Sequence, residues 1–213
     1  MAATRAYRGV PADKRHAQRR SALIEAAIDG LEVDGLSGVS VRSVCARARL
    51  TPRYFYQSFA DLDHLLLAAV DSVTDEVAAQ AFAAMTAAGD AVEAQVRAAI
   101  DAGYGVVATD RGKANVLLVA STGDGLLRER RNKLVTDYAD LVIDGLPLLN
   151  SLGLAERRRA RAVALFLIGG SCDVIEAVLA KRLRLSRAAL VDQLTSMWLG
   201  ALSASLPGAR LER

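Results

Sequence analysis

Hydrogen-bonding side chains and aromatic rings are concentrated in one short segment, residues 51–59, with the sequence Thr-Pro-Arg-Tyr-Phe-Tyr-Gln-Ser-Phe. Four of the nine phenylalanine and tyrosine residues of the chain lie in this segment. An arginine can donate two parallel hydrogen bonds to the edge of a guanine base, and a hydroxyl group can bind a phosphate oxygen. Tyrosine and arginine are also enriched where proteins bind partners. The composition of the segment therefore predicts a DNA-binding surface.

The first element that must position this surface is a short helix beginning after Ser40. A serine at that place can accept a hydrogen bond from a backbone amide of the first helical turn. The apolar side chains that follow recur at helical spacing and give one inward face. This face comprises Val41, Val44, Cys45 and Ala48.

A second short helix, about residues 52–58, is predicted to carry the binding surface itself. Thr51 places a hydroxyl residue at its N-cap, and Pro52 has the backbone dihedral suited to the first helical position. Phe55 and Phe59 lie four residues apart, so both are expected to face inward and brace the helix. Two short helices joined by a tight turn, with donors on the exposed side of the second, match the helix-turn-helix unit.

A longer helix is predicted ahead of this unit, over residues 14–33. Gly35 and Gly38 are expected to end it, and Leu36 and Val39 are expected to be buried in the turn that follows. Its apolar stripe comprises Leu23, Ile24, Ala27, Ile28 and Leu31.

Positive charge is concentrated in the N-terminal part of the chain. Residues 1–60 hold ten lysines and arginines against five acidic residues, whereas residues 61–213 hold seventeen against nineteen. A basic segment on a near-neutral body favours an anionic partner, with nucleic acid the first candidate and a membrane surface the second. Arg5 and Arg8 lie in a basic arm, and they and the neighbouring pair Lys14 and Arg15 could reach phosphate or a minor groove.

The run from Ser40 to Thr51, followed by Pro52 to Phe59, resembles the DNA-binding signature of the TetR family of transcriptional regulators. The tyrosine that the family carries almost universally corresponds to Tyr56, and its closing phenylalanine corresponds to Phe59. The resemblance in motif extends over roughly residues 15–66, and beyond it only helical content, length and order are similar. It implies a dimeric regulator that binds DNA through this segment and responds to a small molecule.

Three positions depart from the pattern of the family. Arg49 stands where the family usually has glycine, so a left-handed backbone at this turn would strain the arginine modestly. Leu62 stands where a lysine often contacts phosphate, so that contact is not expected. Arg53 replaces a small residue early in the recognition helix, which implies a base preference particular to this protein.

The resemblance and the side-chain chemistry together assign the roles. Thr51 and Tyr56 are expected to bind phosphate, while Arg53 and Tyr54 are expected to contact base edges. Ser40, Arg42 and Gln57 would add contacts to the DNA backbone. The predicted DNA-binding residues are Ser40, Arg42, Thr51, Pro52, Arg53, Tyr54, Tyr56, Gln57 and Ser58.

The remainder of the chain has helical periodicity and no sustained strand alternation. The predicted fold is therefore all-α, with a three-helix helix-turn-helix DNA-binding domain and basic arm over 1–60 and a larger helical ligand-binding and dimerisation domain over 61–213. Gly103 and Gly105 are expected to interrupt the second of the later helices. These helices are predicted from near Asp61 to Met85, Ala91 to Val107, Lys113 to Ser121, Leu126 to Asp144, Leu154 to Leu183 and Ser186 to Leu206.

The last two helices are predicted to form a homodimer, because one recognition helix contacts too few bases to select a site and a twofold pair binds a palindrome. Two such helices from each subunit would make a four-helix bundle. In the resembled family this pair of helices forms the dimer. The predicted interface residues are Val163, Leu167, Gly170, Val174, Val178, Leu190, Leu194, Met197, Trp198 and Leu202.

The resemblance also implies a small-molecule pocket among the remaining helices, with ligand binding that weakens DNA binding. The few polar side chains available there suggest a hydrophobic effector. The regulator is expected to be a repressor that this effector releases. The candidate ligand-binding residues are Phe82, Met85, Tyr104, Asn115, Tyr138, Phe166 and Asp173.

Other functional classes find little support in the residues. Glycine-rich nucleotide loops are absent, and two distant histidines (His16 and His64) offer no metal-ligand spacing, so neither an enzyme nor a metal or other cofactor is expected. Cys45 and Cys172 suggest core residues in a cytoplasmic protein rather than a disulfide, and no membrane association is expected. The alternative is a helical interaction module that binds a protein or an acidic membrane through its basic N-terminus.

Overall fold

A computed structural model describes residues 12–123, 125–145 and 153–205, and every regular element within them is a helix. This confirms the predicted all-α fold. The basic arm with Arg5 and Arg8 lies outside the described residues. The helices are α1 (Ala12–Gly38), α2 (Val41–Arg47), α3 (Pro52–Ser58), α4 (Leu62–Ala87), α5 (Val92–Ala108), α6 (Arg111–Thr122), α7 (Leu126–Gly145), α8 (Leu154–Leu179) and α9 (Arg187–Ser205).

The end of α1 differs from the predicted one. The helix continues to Gly38, with a kink at Gly35, whose φ of 65° is left-handed. Val39 is buried as predicted, and the Cβ that Gly30 lacks would lie 3.3 Å from its Cγ2 atom. The predicted burial of Leu36 is wrong, because Leu36 follows the non-helical glycine and leaves the apolar stripe, with 49% of its surface exposed.

Two later helices also differ in their bounds. Helix α5 is continuous through Gly103 and Gly105, so the predicted interruption is wrong. Gly103 is buried against Val77 of α4, where the missing side chain allows close packing. Helix α8 ends at Leu179 instead of near residue 183, because Lys181 adopts a left-handed conformation with φ of 59°. The predicted serine cap of the last helix is confirmed, since the backbone nitrogen of Ala189 donates to the Ser186 hydroxyl.

The chain divides into two compact units, and the division does not follow the order of the sequence. Unit 1 contains the residues as far as Thr74 together with Asp110–Leu127, and unit 2 contains Asp75–Thr109 together with the residues from Arg128 onward. Helix α4 contributes its first half to unit 1 and its second half to unit 2. The boundary near residue 60 between a DNA-binding domain and a ligand-binding and dimerisation domain stays a prediction.

Helix α6 belongs to unit 1 because it packs closely on α1. Gly112 is buried at this contact, and a Cβ there would lie 2.7 Å from the backbone oxygen of Ile28. The Nδ2 atom of Asn115 donates a hydrogen bond of 2.7 Å to the carbonyl oxygen of Leu31. The Asp110 side chain caps α6 by accepting from the backbone nitrogen of Lys113. The end of α1 is thus fixed by a helix that is distant in sequence.

Ion pairs and one indole hydrogen bond connect the helices of unit 2. Arg187 at the start of α9 donates to the Asp101 side chain of α5 at 2.5 Å. The Nε1 atom of Trp198 donates to the Ser171 hydroxyl of α8 at 3.0 Å. Arg131 of α7 pairs with Asp173 and Glu176 of α8. An apolar cluster between α7 and α8 comprises Ala139, Ile143, Ala160 and Ala164.

Candidate nucleic-acid interface

A reciprocal cap fixes the start of α2. The backbone nitrogen of Ser43 donates to the Ser40 hydroxyl at 3.1 Å, and the backbone nitrogen of Ser40 donates to the Ser43 hydroxyl at 2.9 Å. The predicted cap at Ser40 is therefore confirmed, and its hydroxyl serves the helix itself. Arg42 in the first turn is exposed. A cap of this kind stabilises a helix by roughly 1 kcal/mol, which matters for an element of only seven residues.

The inward face of α2 is narrower than its apolar residues suggested. Val44 and Cys45 are buried, whereas Val41 and Ala48 are half-buried. Burial raises the pKa of the Cys45 thiol. A protonated, buried thiol packs as a small apolar side chain.

The turn between α2 and α3 has the backbone conformation expected from the family pattern. Arg49 has a φ of 54°, in the left-handed region where glycine is preferred. The backbone nitrogen of Leu50 donates to the carbonyl oxygen of Cys45 at 2.9 Å and closes the turn. The predicted strain at Arg49 is therefore present, and it costs about 1–2 kcal/mol.

Helix α3 begins as predicted, with Thr51 at the N-cap and Pro52 at the first helical position. The Thr51 side chain makes no capping hydrogen bond. Thr51 is also exposed. A hydroxyl that does not serve its own helix can bind an external acceptor such as phosphate.

Two sides of α3 differ sharply in burial. Phe55 is fully buried and Phe59 is 5% exposed, with ring centroids 5.9 Å apart, which confirms both as inward braces. Arg53 and Gln57 are exposed, and Tyr54 and Tyr56 are respectively 37% and 62% exposed. These four side chains form the exposed face of α3: Arg53, Tyr54, Tyr56 and Gln57.

Ser58 does not share this exposed face. Its hydroxyl oxygen is buried and has no hydrogen-bond partner. The expectation that Ser58 contacts DNA is therefore corrected, because its side chain points into unit 1. The hydroxyl is covered by the packing around the last turn of α3, which the helical period alone does not indicate.

Helix α1 supports α3 through polar and cationic contacts that were not predicted from the sequence. The guanidinium carbon of Arg19 lies 4.6 Å from the centroid of the Tyr54 ring, and that of Arg20 lies 5.0 Å from the centroid of the Phe59 ring. The Nε2 atom of His16 donates to the carbonyl oxygen of Gln57 at 3.2 Å. The available signal was the basic run in α1, which charge alone assigned to an anionic partner.

The start of α4 lacks the cation that the family often places there. Leu62 is half-buried, and Lys14, at the edge of the basic arm, is exposed. The Asp61 carboxylate accepts hydrogen bonds from the backbone nitrogen of His64 at 2.9 Å and from its Nδ1 atom at 2.7 Å. The backbone hydrogen bond from His64 is the main reason why the pKa of Asp61 is lowered.

The predicted dimer residues fall into three groups. Leu167, Leu190 and Leu194 are buried within the single chain, so they are core residues and their assignment to the interface is corrected. Gly170 and Met197 are exposed. The half-buried residues are Val163, Val174, Val178, Trp198 and Leu202.

Helix α8 leaves much of its apolar surface uncovered. Phe166 is 75% exposed, and only 17% of the most apolar stretch of α8 is buried. By length and composition alone α8 could cross a membrane, and it is the one helix of the described residues with that property. One such helix does not identify a membrane span, because core helices and signal sequences can have the same length and composition.

The predicted ligand-binding residues belong to different units and differ in burial. Asn115 lies in unit 1, and its side chain donates a hydrogen bond to the carbonyl oxygen of Leu31 in α1. Its assignment to a ligand pocket is therefore corrected. In unit 2, Tyr104 is buried and Asp173 pairs with Arg131, whereas Phe82 is 55% exposed. The other members are the half-buried Met85 and Tyr138 and the exposed Phe166.

An open pocket of about 550 Å³ lies in unit 2, at the connection from α8 to α9. It contains none of the predicted ligand-binding residues. Its lining comprises Val178, Lys181, Leu183, Arg184, Leu185 and Ser186.

Helices α1 to α3 have the geometry of a helix-turn-helix unit, and the other regular elements of the described residues are helices as well. No protein-family model and no curated protein sequence matches the chain. Solved structures match it at low identity. The fatty acid degradation regulator FadR from Bacillus halodurans is 18% identical with a TM-score of 0.67, over 90% of this chain and 96% of that one.

Two further structures are similar over most of their length. FadR from Bacillus subtilis, solved in complex with stearoyl-CoA, is 14% identical with a TM-score of 0.65, over 85% of this chain and 98% of that one. A TetR-like transcriptional regulator from Rhodococcus sp. RHA1 is 20% identical with a TM-score of 0.58, over 88% and 97%. The chain therefore has the fold of the TetR-like transcriptional regulators, which confirms the resemblance at the level of the fold. All three neighbours are described as regulators and none as an enzyme.

Proposed function

We propose that this protein is a DNA-binding transcriptional regulator, a repressor that binds a palindromic operator as a homodimer and is released by a small hydrophobic molecule. The observation that carries the proposal is the exposed face of α3. Its donors are presented to the exterior while Phe55 and Phe59 anchor the helix from the opposite side. Exposed tyrosine and arginine side chains on a braced helix after a tight turn are what major-groove recognition requires.

The contacts follow from the position of each side chain on this face. Arg53 and Tyr54 contact base edges, and Arg53 can bind a guanine through two parallel hydrogen bonds. Thr51 and Tyr56 bind phosphate, helped by the uncommitted Thr51 hydroxyl. Gln57 adds a contact to the DNA backbone, as does Arg42 of α2, while Ser40 supports the interface by capping that helix.

The homodimer is proposed to form through the uncovered apolar side of α8 together with the exposed side of α9. Phe166 and Met197 are 75% and 57% exposed in the single chain, an unfavourable state for large apolar side chains in water. A Cβ at Gly170 of α8 or at Gly200 of α9 would meet nothing within 4 Å. Glycines in open space on two neighbouring helices allow the helices of a second subunit to approach closely. Burial of this surface in a dimer also explains why α8 is apolar, so that no membrane is needed to cover it.

The effector is proposed to bind in unit 2 and to carry a long apolar part. Two observations support this class: the apolar composition of α5 and α9 in unit 2, and the similarity in fold to a regulator crystallised with stearoyl-CoA. Long-chain acyl-CoA thioesters are therefore the first molecules to test. A coupling of about 1–3 kcal/mol between effector and operator is enough to change DNA affinity several-fold or more.

Selection of bound fragments from random DNA tests the proposal with the purified full chain. We expect enrichment of a palindrome whose half-sites are spaced by about one or more helical turns. A variant with both Arg53 and Tyr56 changed to alanine is the matched control and should enrich nothing. The proposed function would be refuted if the unsubstituted protein enriched no sequence, or if the control variant enriched the same sequences equally well.

The effector is tested on the selected operator. Stearoyl-CoA should lower operator occupancy at concentrations where free coenzyme A does not. An unchanged occupancy at saturating thioester would exclude this ligand class while leaving the DNA-binding function intact.

A further inference from the structure

Three side chains of α1 hold α3 within unit 1. Arg19 lies over the ring of Tyr54, Arg20 lies over the ring of Phe59, and His16 bonds to the carbonyl oxygen of Gln57. These contacts differ in what they support. The Phe59 ring is buried in the core, whereas Tyr54 belongs to the exposed face of α3. The contact from Arg19 therefore acts on a side chain that the proposed function places against DNA.

The setting of Arg19 suggests that its main interaction is with this ring. The side chain is half-buried, and its Nε atom is buried without a hydrogen-bond partner. Burying a guanidinium nitrogen without a partner is unfavourable. The distance of 4.6 Å from guanidinium carbon to ring centroid lies within the range of about 6 Å over which a cation is attracted to an aromatic face.

The contact restricts Tyr54 without hiding it. One face of the ring is covered by Arg19, yet 37% of the residue stays exposed. Rotation of the ring away from the guanidinium would lose the attraction, so the cation favours one orientation. A side chain that is already oriented loses less conformational entropy on binding and discriminates better between partners.

We propose that Arg19 is a positioning residue for base recognition: it holds the Tyr54 ring from α1 and so sets the base preference at the position that Tyr54 contacts. This inference rests on the proposed DNA-binding function. It assigns to α1 a part in sequence selection, through a residue outside the helix-turn-helix signature.

A double-mutant cycle on the full chain separates this role from others. Arg19→Gln removes the charge and keeps much of the length, and Tyr54→Leu removes the ring. Arg19→Gln alone should weaken operator binding by at most about five-fold, because the lost orientation of Tyr54 can contribute no more than the cation–π contact itself, and it should relax base choice at one position. In the Tyr54→Leu background the same change should have little further effect. Arg19→Lys, which retains a cation, should recover part of the loss.

Arg20→Gln is the matched control, because it removes the same charge from the neighbouring position of α1. It should alter stability through Phe59 but leave the base preference unchanged. Binding of each variant to non-specific DNA and the dependence of binding on salt are measured alongside. A direct phosphate contact by Arg19 would reduce the slope of log affinity against log salt by about 0.9.

Several results would overturn the inference. An equal effect of Arg19→Gln with and without the Tyr54 ring would mean that Arg19 acts independently of it, and a reduced salt slope would identify a phosphate contact instead. Nuclear magnetic resonance of the DNA-free protein provides a separate readout. The Arg19 side-chain protons should be shifted upfield by the Tyr54 ring, and the shift should vanish in Tyr54→Leu. If the unsubstituted protein selects DNA but its Arg19 protons show no upfield shift, only the role of Arg19 is overturned. If the unsubstituted protein selects no DNA, the proposed function is overturned and this inference with it.

Discussion

Replacing Gly112 by alanine should destabilise the packing of α6 on α1. Gly112 is buried, and the added Cβ would lie 2.7 Å from the backbone oxygen of Ile28 and 2.9 Å from its Cγ2 atom. A backbone oxygen cannot rotate away as a flexible side chain can, so one helix must shift. Introducing a methyl group into a packed contact costs typically about 1–3 kcal/mol.

The intrinsic helix preference of alanine works in the opposite direction. Alanine is favoured over glycine in a helix by roughly 1 kcal/mol. The net loss expected for Gly112→Ala is therefore about 0–2 kcal/mol, which corresponds to a fall in melting temperature of at most roughly 8 °C for a chain of this size.

Gly169→Ala is the matched control for this prediction. Gly169 lies within α8, and a Cβ there would be 3.7 Å from Val135, an ordinary van der Waals distance. The same substitution should therefore leave stability unchanged or raise it. Thermal unfolding followed by circular dichroism, at one fixed protein concentration, measures both variants. If Gly112→Ala is as stable as Gly169→Ala, the close approach of α6 to α1 is not present in the protein.

Three further outcomes are expected. Arg53→Ala should lose about 1–3 kcal/mol of operator binding and relax base choice at one position; binding all sequences as the parent does would contradict its assigned role. Phe166→Glu should convert the proposed dimer to a monomer in light scattering, whereas Phe82→Glu, a control that changes an exposed phenylalanine of α4, should not; a dimeric Phe166→Glu would exclude this surface. Burial raises the pKa of the Cys172 thiol to about 11, so only about a thousandth is thiolate at pH 8 and the folded protein should react with a disulfide reagent far more slowly than the unfolded chain. Cys172 is half-buried in the single chain, and a fast stoichiometric reaction of its thiol in the folded state would contradict the raised pKa.

Local features of the candidate interface could be predicted from the sequence because they depend on neighbours within a few residues. The cap at Ser40, the start of α3 at Thr51–Pro52 and the left-handed Arg49 are all local effects of backbone geometry. The burial of Phe55 and Phe59 follows from the helical period within one short element.

Features that join distant parts of the chain could not be predicted in this way. Helical periodicity shows that α8 and α9 are apolar, but not which of their apolar residues a neighbouring helix covers. Leu167 is therefore buried within the chain while Phe166, the adjacent residue, is exposed. The packing of Asn115 on α1 joins residues that are 84 positions apart, and no local pattern indicates it.

What the sequence determined by itself is a helix-turn-helix near the N-terminus of an all-helical chain, because capping, turn conformation and periodicity act over one or two helical turns. Only the tertiary structure decided that Arg19 covers Tyr54, that α6 packs on α1 and that Ser58 faces inward. Each of these depends on how one helix is placed against another. The distances between such helices are set by the packing of the whole unit, which no single segment of sequence encodes.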